Sequence, residues 1–300
     1  MPFTPSAINY AQQYARELAN AYPYLSYFGD IWGSENSRRF RPVNAQTIMI
    51  PSMEVGGAHA VNRAAMNGQF TRKFNLTWEA KTMSMYREWD TILDEMDIVE
   101  TNEVATIANI TRTFNEFQKI PEMDAYMASK LGSFATAASH VDSTVLTAAN
   151  ILAKWDDALE AMTNARVNRD RVVCYVTPAT YKLLKQAAGI TRFIDIGNGI
   201  QGYDRNIAKL DGVRIVEVPS DLMQSAYDFT DGWAATTAAK QINWIFVDPL
   251  AIVAPVVYEV SMISAPSAAT KGKNVYYESY YYDVFQLNQR TAGIQANIAS

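Results

Sequence analysis

Residues 70–89 read FTRKFNLTWEAKTMSMYREW, and an acidic connector joins them to a long segment that closes with IPEMDAYMASKL at 120–131. In the first part Phe70, Phe74, Leu76, Trp78 and Ala80 share one parity, and Thr71, Lys73, Asn75, Thr77, Glu79 and Lys81 share the other. A period of two predicts a β-strand with one apolar face. Past Thr82 the apolar residues change parity to Met83 and Met85, which predicts a bulge or twist there and a second surface beyond it. In the second part Val104, Ile107, Ile110, Phe114 and Phe117 recur at spacings of three and four, the pattern of a helix burying a stripe. The helix is expected from about Glu103 to Leu131, with Pro121 kinking it or opening a second helix.

Working outward, residues 37–53 form a second extended arm. The small, glycine-bearing stretch VGGAHAVNRAAMNGQ that separates it from the first suits the tip of a long hairpin. Residues 6–22 read as a helix with Ser6 as cap and Pro23 as stop. Another helix is expected over 143–165, with Val145, Ala149, Leu152, Trp155, Leu159 and Met162 as its stripe. Further on, RVVCYVT, GVRIVEVP and INWIFVDP read as strands, with Pro178 opening a helix after the first. The end is a hairpin, VVYEVSMI and NVYYESYYYDVFQL around a polar loop. Long helices and hairpins without βαβα alternation give an α+β class.

Composition narrows the function. A chain of 300 residues, 49% hydrophobic, can bury a large core. Its net charge of -5 argues against a dedicated nucleic-acid binder. The apolar stretch 244–257 is cut by Asp248, Pro249 and Pro255 and is too short to span a bilayer, so no membrane association is expected. The start shows no basic segment followed by an apolar one, so no signal peptide and a reducing cytoplasm are expected. The single cysteine, Cys174, lies in an apolar run and reads as a buried thiol.

No catalytic constellation assembles from the sequence. Gly197-Asn-Gly199-Ile-Gln-Gly202 matches a dinucleotide fingerprint, but the helix that should follow is replaced by the short polar YDRNIAKLDG. A glycine-rich surface loop is the expected reading, with a nucleotide-binding enzyme as the distant rival. His59 and His140 are far apart and cannot build a zinc set with one cysteine. Asp94, Glu95, Asp97 and Glu100 lead into a helix N-terminus, where the dipole favours them. Glu122 and Asp124 are read as caps of a second helical segment, with pairing to a neighbouring subunit's arginine as the functional alternative. The block Tyr276, Tyr277, Tyr280, Tyr281, Tyr282 lacks interleaved basic residues and is expected to pack in a sheet. No metal, cofactor or catalytic residue is expected.

Three features in this order resemble the major capsid protein of tailed bacteriophages, with the Hong Kong 97-type fold. They are the Pro-Glu-x-Asp-Ala-Tyr turn at 121–126, VTPATYKLL at 176–184 followed by DGVRIVEVP at 211–219, and the closing YESYYYDVFQLNQRTAGI at 277–294. The resemblance covers nearly the whole chain. It implies an N-terminal arm at 1–36 and an extended hairpin loop at 37–87 that reaches across a neighbouring subunit. It implies a peripheral domain from 88–139 and 251–300 around a spine helix, and an axial domain at 140–250. Phe70, Phe74, Leu76 and Trp78 would then be assembly contacts, as would the loop bearing Gly197, Gly199 and Gly202.

The function implied is an icosahedral phage head built of pentamers and hexamers of this chain, assembled in the host cytoplasm and found in the virion. Double-stranded DNA would be held by weak contact, and a separate scaffolding protein, a portal and a maturation protease are expected as partners. An encapsulin-like compartment shell is the nearest alternative. The parity change at Thr82–Met83 becomes the point where the arm leaves its neighbour and joins its own domain.

Overall fold

The computed structural model describes residues 26–39, 46–58, 72–94, 107–187, 207–264, 266–268 and 270–299. The helix expected at 6–22, His59, Phe70, Val104 and the Gly197–Gly202 loop lie outside them.

Among the described residues two short helices come first, α1 (Gly29–Trp32) and α2 (Glu35–Arg39), so the arm expected from residue 37 is helical at 37–39; the first described strand is β1 (Thr47–Val55). Next are β2 (Phe74–Thr82) and β3 (Met85–Leu93). The long helical segment has three parts: α3 (Ile107–Phe114), a π-helical turn (Asn115–Lys119) and α4 (Ile120–Ala137). Pro121 sits in the first turn of α4, where a missing N–H costs least, and the π turn directly before it takes up the adjustment.

That turn also corrects the expected stripe. It inserts extra backbone, so Phe117 swings out to 66% exposure while Asn115 and Lys119 turn inward. Helix α4 runs on past Leu131 to Ala137.

After β4 (Val141–Asp142) comes α5 (Ile151–Asn164), shorter than the expected 143–165. Val145 is exposed, and the buried stripe is Ile151, Trp155, Leu159 and Met162. Asn150 is the cause: its carboxamide accepts from the Thr147 N–H and donates to the Val145 carbonyl, locking the preceding turn outside the helix. Then come β5 (Val173–Val176), α6 (Pro178–Gln186), β6 (Lys209–Leu210) and β7 (Val213–Glu217). Thr177 caps α6. Asp211 and Gly212, both at positive φ, make the two-residue turn between β6 and β7. The remaining strands are β8 (Tyr227–Asp228), β9 (Ala234–Ala235), β10 (Ile242–Val247), β11 (Ile252–Val253), β12 (Val256–Ser264), β13 (Asn274–Tyr282), β14 (Phe285–Gln286) and β15 (Ile294–Ile298).

A six-stranded mixed sheet, in the order β4-β15-β10-β5-β7-β6, forms the centre. β5 and β7 are parallel, so β5–α6–β7 is a single βαβ step within the α+β whole. Both faces of this sheet are covered, which is why RVVCYV and INWIFV read as continuous apolar runs. Val173, Tyr175, Ile245 and Val247 face α4, while Cys174, Val176, Trp244 and Phe246 face α5 and α6. The last strand, β15, pairs with β10 and β4, so the chain's end lies in this sheet and not beside β12 and β13.

The second sheet, β12-β13-β3, packs its inner face on the π turn and α4. Trp89 stacks on Phe114 with ring centres 4.1 Å apart, and Tyr282 meets Tyr126 edge-on at 5.3 Å. The tyrosine block is thus sheet packing, as expected, with Tyr276, Tyr280 and Tyr282 inward. Among the described residues, no helix is long and apolar enough to cross a membrane.

Candidate functional site

β1 and β2 form a two-stranded antiparallel ribbon, paired from Thr47↔Thr82 to Val55↔Phe74. Because directly paired residues share a face, the register puts Phe74 with Val55, Leu76 with Met53 and Trp78 with Pro51 on one side. Nothing among the described residues covers that side. Val55 is 72% exposed, Trp78 59%, Met53 53%, Phe74 52% and Leu76 42%. Arg72 caps the patch, its guanidinium 4.6 Å from the centre of the Phe74 ring.

The opposite side of the ribbon is what attaches it to the body. Ile48 and Ile50 are buried there with Val253, against Phe285 and Leu287. Polar contacts extend the seam. Asn288 donates to Glu79 Oε2 at 2.7 Å, and Gln289 donates to Ser52 Oγ and to the Met53 carbonyl, each at 3.0 Å. Lys81 Nζ, 2.6 Å from Glu79 Oε1, holds that carboxyl below its ordinary range. One side of the ribbon is therefore anchored and the other is presented.

An isolated two-stranded ribbon is marginal in water, and a soluble monomer rarely shows a contiguous apolar patch of this kind. Covering five half-exposed large side chains would return roughly 4–7 kcal/mol, taking about half the value of full burial for each. The period of two in the sequence identifies the β2 half of this patch. It does not disclose Met53, Val55 and Pro51, because in TIMIPSMEV the buried Ile48 and Ile50 obscure the alternation.

The parity change has a structural cause. β2 belongs to the ribbon and β3 to the three-stranded sheet, and the chain changes sheets at Met83–Ser84. Met83 is buried, and its N–H still donates to the Gln46 carbonyl at 2.7 Å, closing the ribbon ladder. Ser84 is then held by Asp283, which also accepts from the Tyr126 hydroxyl at 2.7 Å and the Val284 N–H at 2.7 Å.

The helix acids are not simple caps. Glu122 accepts a bidentate pair from Arg87 at 2.7 Å and a hydrogen bond from Tyr282 at 2.9 Å. The arginine expected from a neighbour is supplied by β3 of the same chain. Asp124 accepts from Ser26 and Tyr27, ahead of α1. Neither pairing is visible in the sequence, since Arg87 and Ser26 lie 35 and 98 positions away.

Cys174 is fully buried and its thiol is pushed well up by burial, which leaves it inert as a nucleophile. The β5–α6 turn is capped by Thr177 and Pro178 and carries no glycine cradle for a phosphate.

No protein-family model matches the chain, and no curated protein does either. Solved structures do. The mature capsid of bacteriophage PhiM1 is similar over 86% of this chain and 83% of its own, with TM-score 0.61 and 13% identity. The capsid of cyanophage P-SCSP1u is similar over 87% and 85%, with TM-score 0.62 and 12% identity. The capsid of Ralstonia phage GP4 is similar over 89% and 85%, with TM-score 0.53 and 11% identity. At such identity the likeness is one of fold, and the fold of this chain is the α+β fold of phage capsid subunits.

Proposed function

We propose that this chain is the major capsid protein of a phage, a structural subunit that self-assembles into an icosahedral head around double-stranded DNA. One observation carries the reading: a ribbon anchored by Ile48 and Ile50 presents Phe74, Leu76, Trp78, Met53 and Val55 outward, on a body with the fold of capsid subunits. A ribbon of that kind gains its burial from a neighbouring copy, so the stabilisation exists only in the oligomer. Many such modest interfaces add up in a closed shell. The net charge of -5 suits a container that does not grip its DNA.

The same reading takes 1–36 as an N-terminal arm, 37–87 as the extended loop, 88–139 with 251–300 as the peripheral domain and 140–250 as the axial domain. Phe70 joins the ribbon contact, and the loop of Gly197, Gly199 and Gly202 joins the contacts around the capsomer axis. Pentamers and hexamers of the chain, a separate scaffolding protein, a portal and a maturation protease complete the expected set. The head is the site of the mature protein, and assembly takes place in the host cytoplasm. The chain has no enzymatic role.

Negative-stain microscopy of the chain, alone and with its candidate scaffolding protein, tests the reading. Shells or capsomers are expected, and Phe74→Asp/Trp78→Asp is expected to stay monomeric while keeping its thermal unfolding midpoint. Monomers of the unaltered chain with scaffold present, or shells that form equally well from the double variant, would overturn it. Nuclease-protected DNA inside native particles, and not an enclosed enzyme, separates a phage head from a compartment shell.

A further inference from the structure

The spine helix carries one buried carboxyl that no ion pair among the described residues explains. Asp124 of α4 is 1% exposed and its partners belong to the segment that leads into α1. The Ser26 hydroxyl donates to Oδ1, and the Tyr27 N–H donates to Oδ2 at 2.8 Å. The Phe28 amide, next along the chain, adds a weaker pull in favour of the charged carboxyl. Behind those residues Phe28 and Ile31 are fully buried against α4 and the central sheet, with the Phe28 ring 4.3 Å from that of Tyr175. Asp124 thus ties two consecutive residues of the N-terminal segment to the molecule's main helix.

A second observation marks this junction as unsettled. The Tyr175 hydroxyl, on β5, is buried without a hydrogen-bond partner among the described residues, an expensive arrangement in a native interior. The Asp124 charge acts on that phenol and helps to raise its pKa, after burial itself. Tyr175 is therefore an unpartnered buried donor within the electrostatic reach of this carboxyl, which Ser26 and Tyr27 occupy. The other ionisable groups around are committed. Glu122 is taken by Arg87 and Tyr282, Lys130 lies 3.8 Å from Asp283, and Asp30 of α1 pairs with Arg214. Tyr175 is the titratable side chain that senses Asp124, and Cys174 next to it faces the other side of the sheet.

We infer that Asp124 is a proton-controlled latch that holds residues 26–34 on the spine helix more tightly when protonated than when charged. A protonated carboxyl donates to Ser26 Oγ through one oxygen and accepts the Tyr27 amide through the other, satisfying the contacts without placing a charge in the core. Deprotonation leaves a carboxylate that has only neutral donors and, among the described residues, no cation to offset its lost hydration. Burial accordingly pushes the Asp124 carboxyl up to about 7. An open segment would return it toward the solvent value of ~3.9. Opening therefore releases a proton. Attachment is strongest at acidic pH, weakens as pH rises toward 7 and changes little above it. In the open arrangement Tyr175 becomes the donor to the carboxylate.

The test is amide hydrogen exchange on the full chain, read in peptides covering 26–34 and corrected for the intrinsic pH dependence of exchange. Protection in the unaltered chain is expected to fall by about tenfold or more between mildly acidic and mildly alkaline pH, since the opening equilibrium changes about tenfold for every pH unit between the open and closed carboxyl values. Asp124→Asn keeps the shape: its oxygen accepts from Tyr27 and its amide donates to Ser26. That variant is expected to stay protected throughout. Ser26→Ala, which leaves the core intact, is expected to lose protection across the whole range. A pH-independent wild type, an Asp124→Asn variant that loosens like the wild type, or a Ser26→Ala variant with full protection would each overturn the latch. The experiment is indifferent to whether the chain forms shells, so its failure and that of the capsid reading are separate results.

Discussion

Ser84 directs both its main-chain N–H and its hydroxyl to one oxygen of Asp283, at 2.8 and 2.9 Å. The residue at which the chain leaves the exposed ribbon is thereby tied to the end of β13, inside the body. The second Asp283 oxygen is engaged by Tyr126 of α4 and by the Val284 N–H, so helix, sheet and ribbon converge on one carboxylate that is 2% exposed. The direction in which the ribbon projects is set here as much as by Ile48 and Ile50.

Asp283→Ala removes the acceptor of four donors at once. Even with Ser84 partly reached by water, the loss should amount to about 3 kcal/mol, the sum of a few modest desolvation costs. Urea denaturation is the measurement, with a lowered midpoint and an unchanged slope expected. A loss below about 1 kcal/mol would mean that the convergence is incidental.

Lys119 and Glu278 make a second prediction. Both are 1% exposed, with Nζ 3.2 Å from Oε1 and 4.0 Å above the Tyr280 ring, while Tyr276 donates to the other carboxylate oxygen at 2.7 Å. Lys119→Ala strands a buried carboxylate and should cost about 3–5 kcal/mol. The double change Lys119→Met/Glu278→Gln removes both charges and keeps an acceptor for Tyr276, so it should cost about 1 kcal/mol or less. Thermal melts of the two variants decide the matter: equal losses would show that the packing matters and the charges do not.

What the sequence disclosed followed from periodicity. The alternation in FNLTWEAK gave β2 and its greasy face, the parity change gave the sheet switch, and both hairpins came from apolar runs around polar or glycine-bearing loops. What it concealed depends on long-range partners. Arg87 shares the parity of Met83 and Met85, but its partner Glu122 is not legible until β3 is laid beside β13 and α4, and Asp124 reads as a cap until residues 26 and 27 arrive. The π turn was hidden for a different reason. Spacings of three and four are written for a 3.6-residue period, and one wide turn is enough to bring Lys119 in and send Phe117 out.

That rearrangement separates two phenylalanines of one helical segment. Phe114 stacks on Trp89 at an interplanar angle of 9°, whereas Phe117 is 66% exposed. Phe114→Ala should cost about 2–3 kcal/mol, toward the low end for aromatic truncation because the ring is not fully enclosed. Phe117→Ser should change the stability of the isolated chain by less than about 0.5 kcal/mol. An uninterrupted α-helical stripe would make both losses large, so unfolding curves for the pair report on the π turn directly.

Cys174 supplies the last prediction, and it concerns access. Its side chain points from β5 into the cluster of Trp155, Tyr181, Leu184, Trp244 and Phe246, and burial raises its pKa well above the ordinary thiol value. Thiolate is the reactive form, so the folded chain has neither the ionisation nor the approach that disulfide exchange needs. A colourimetric thiol reagent should leave the native protein unmodified at mildly alkaline pH and label it stoichiometrically in denaturant. Labelling of the native state, where it occurs, should follow the rate at which the α5–α6 face opens. Cys174→Ser would bury a hydroxyl in place of a sulfur whose hydrogen-bond acceptor, the Tyr175 carbonyl, lies 4.0 Å away. It should therefore cost about 1–3 kcal/mol, more than Cys174→Ala, which only trims volume. Equal stability of the two variants would argue that water reaches this side of the sheet.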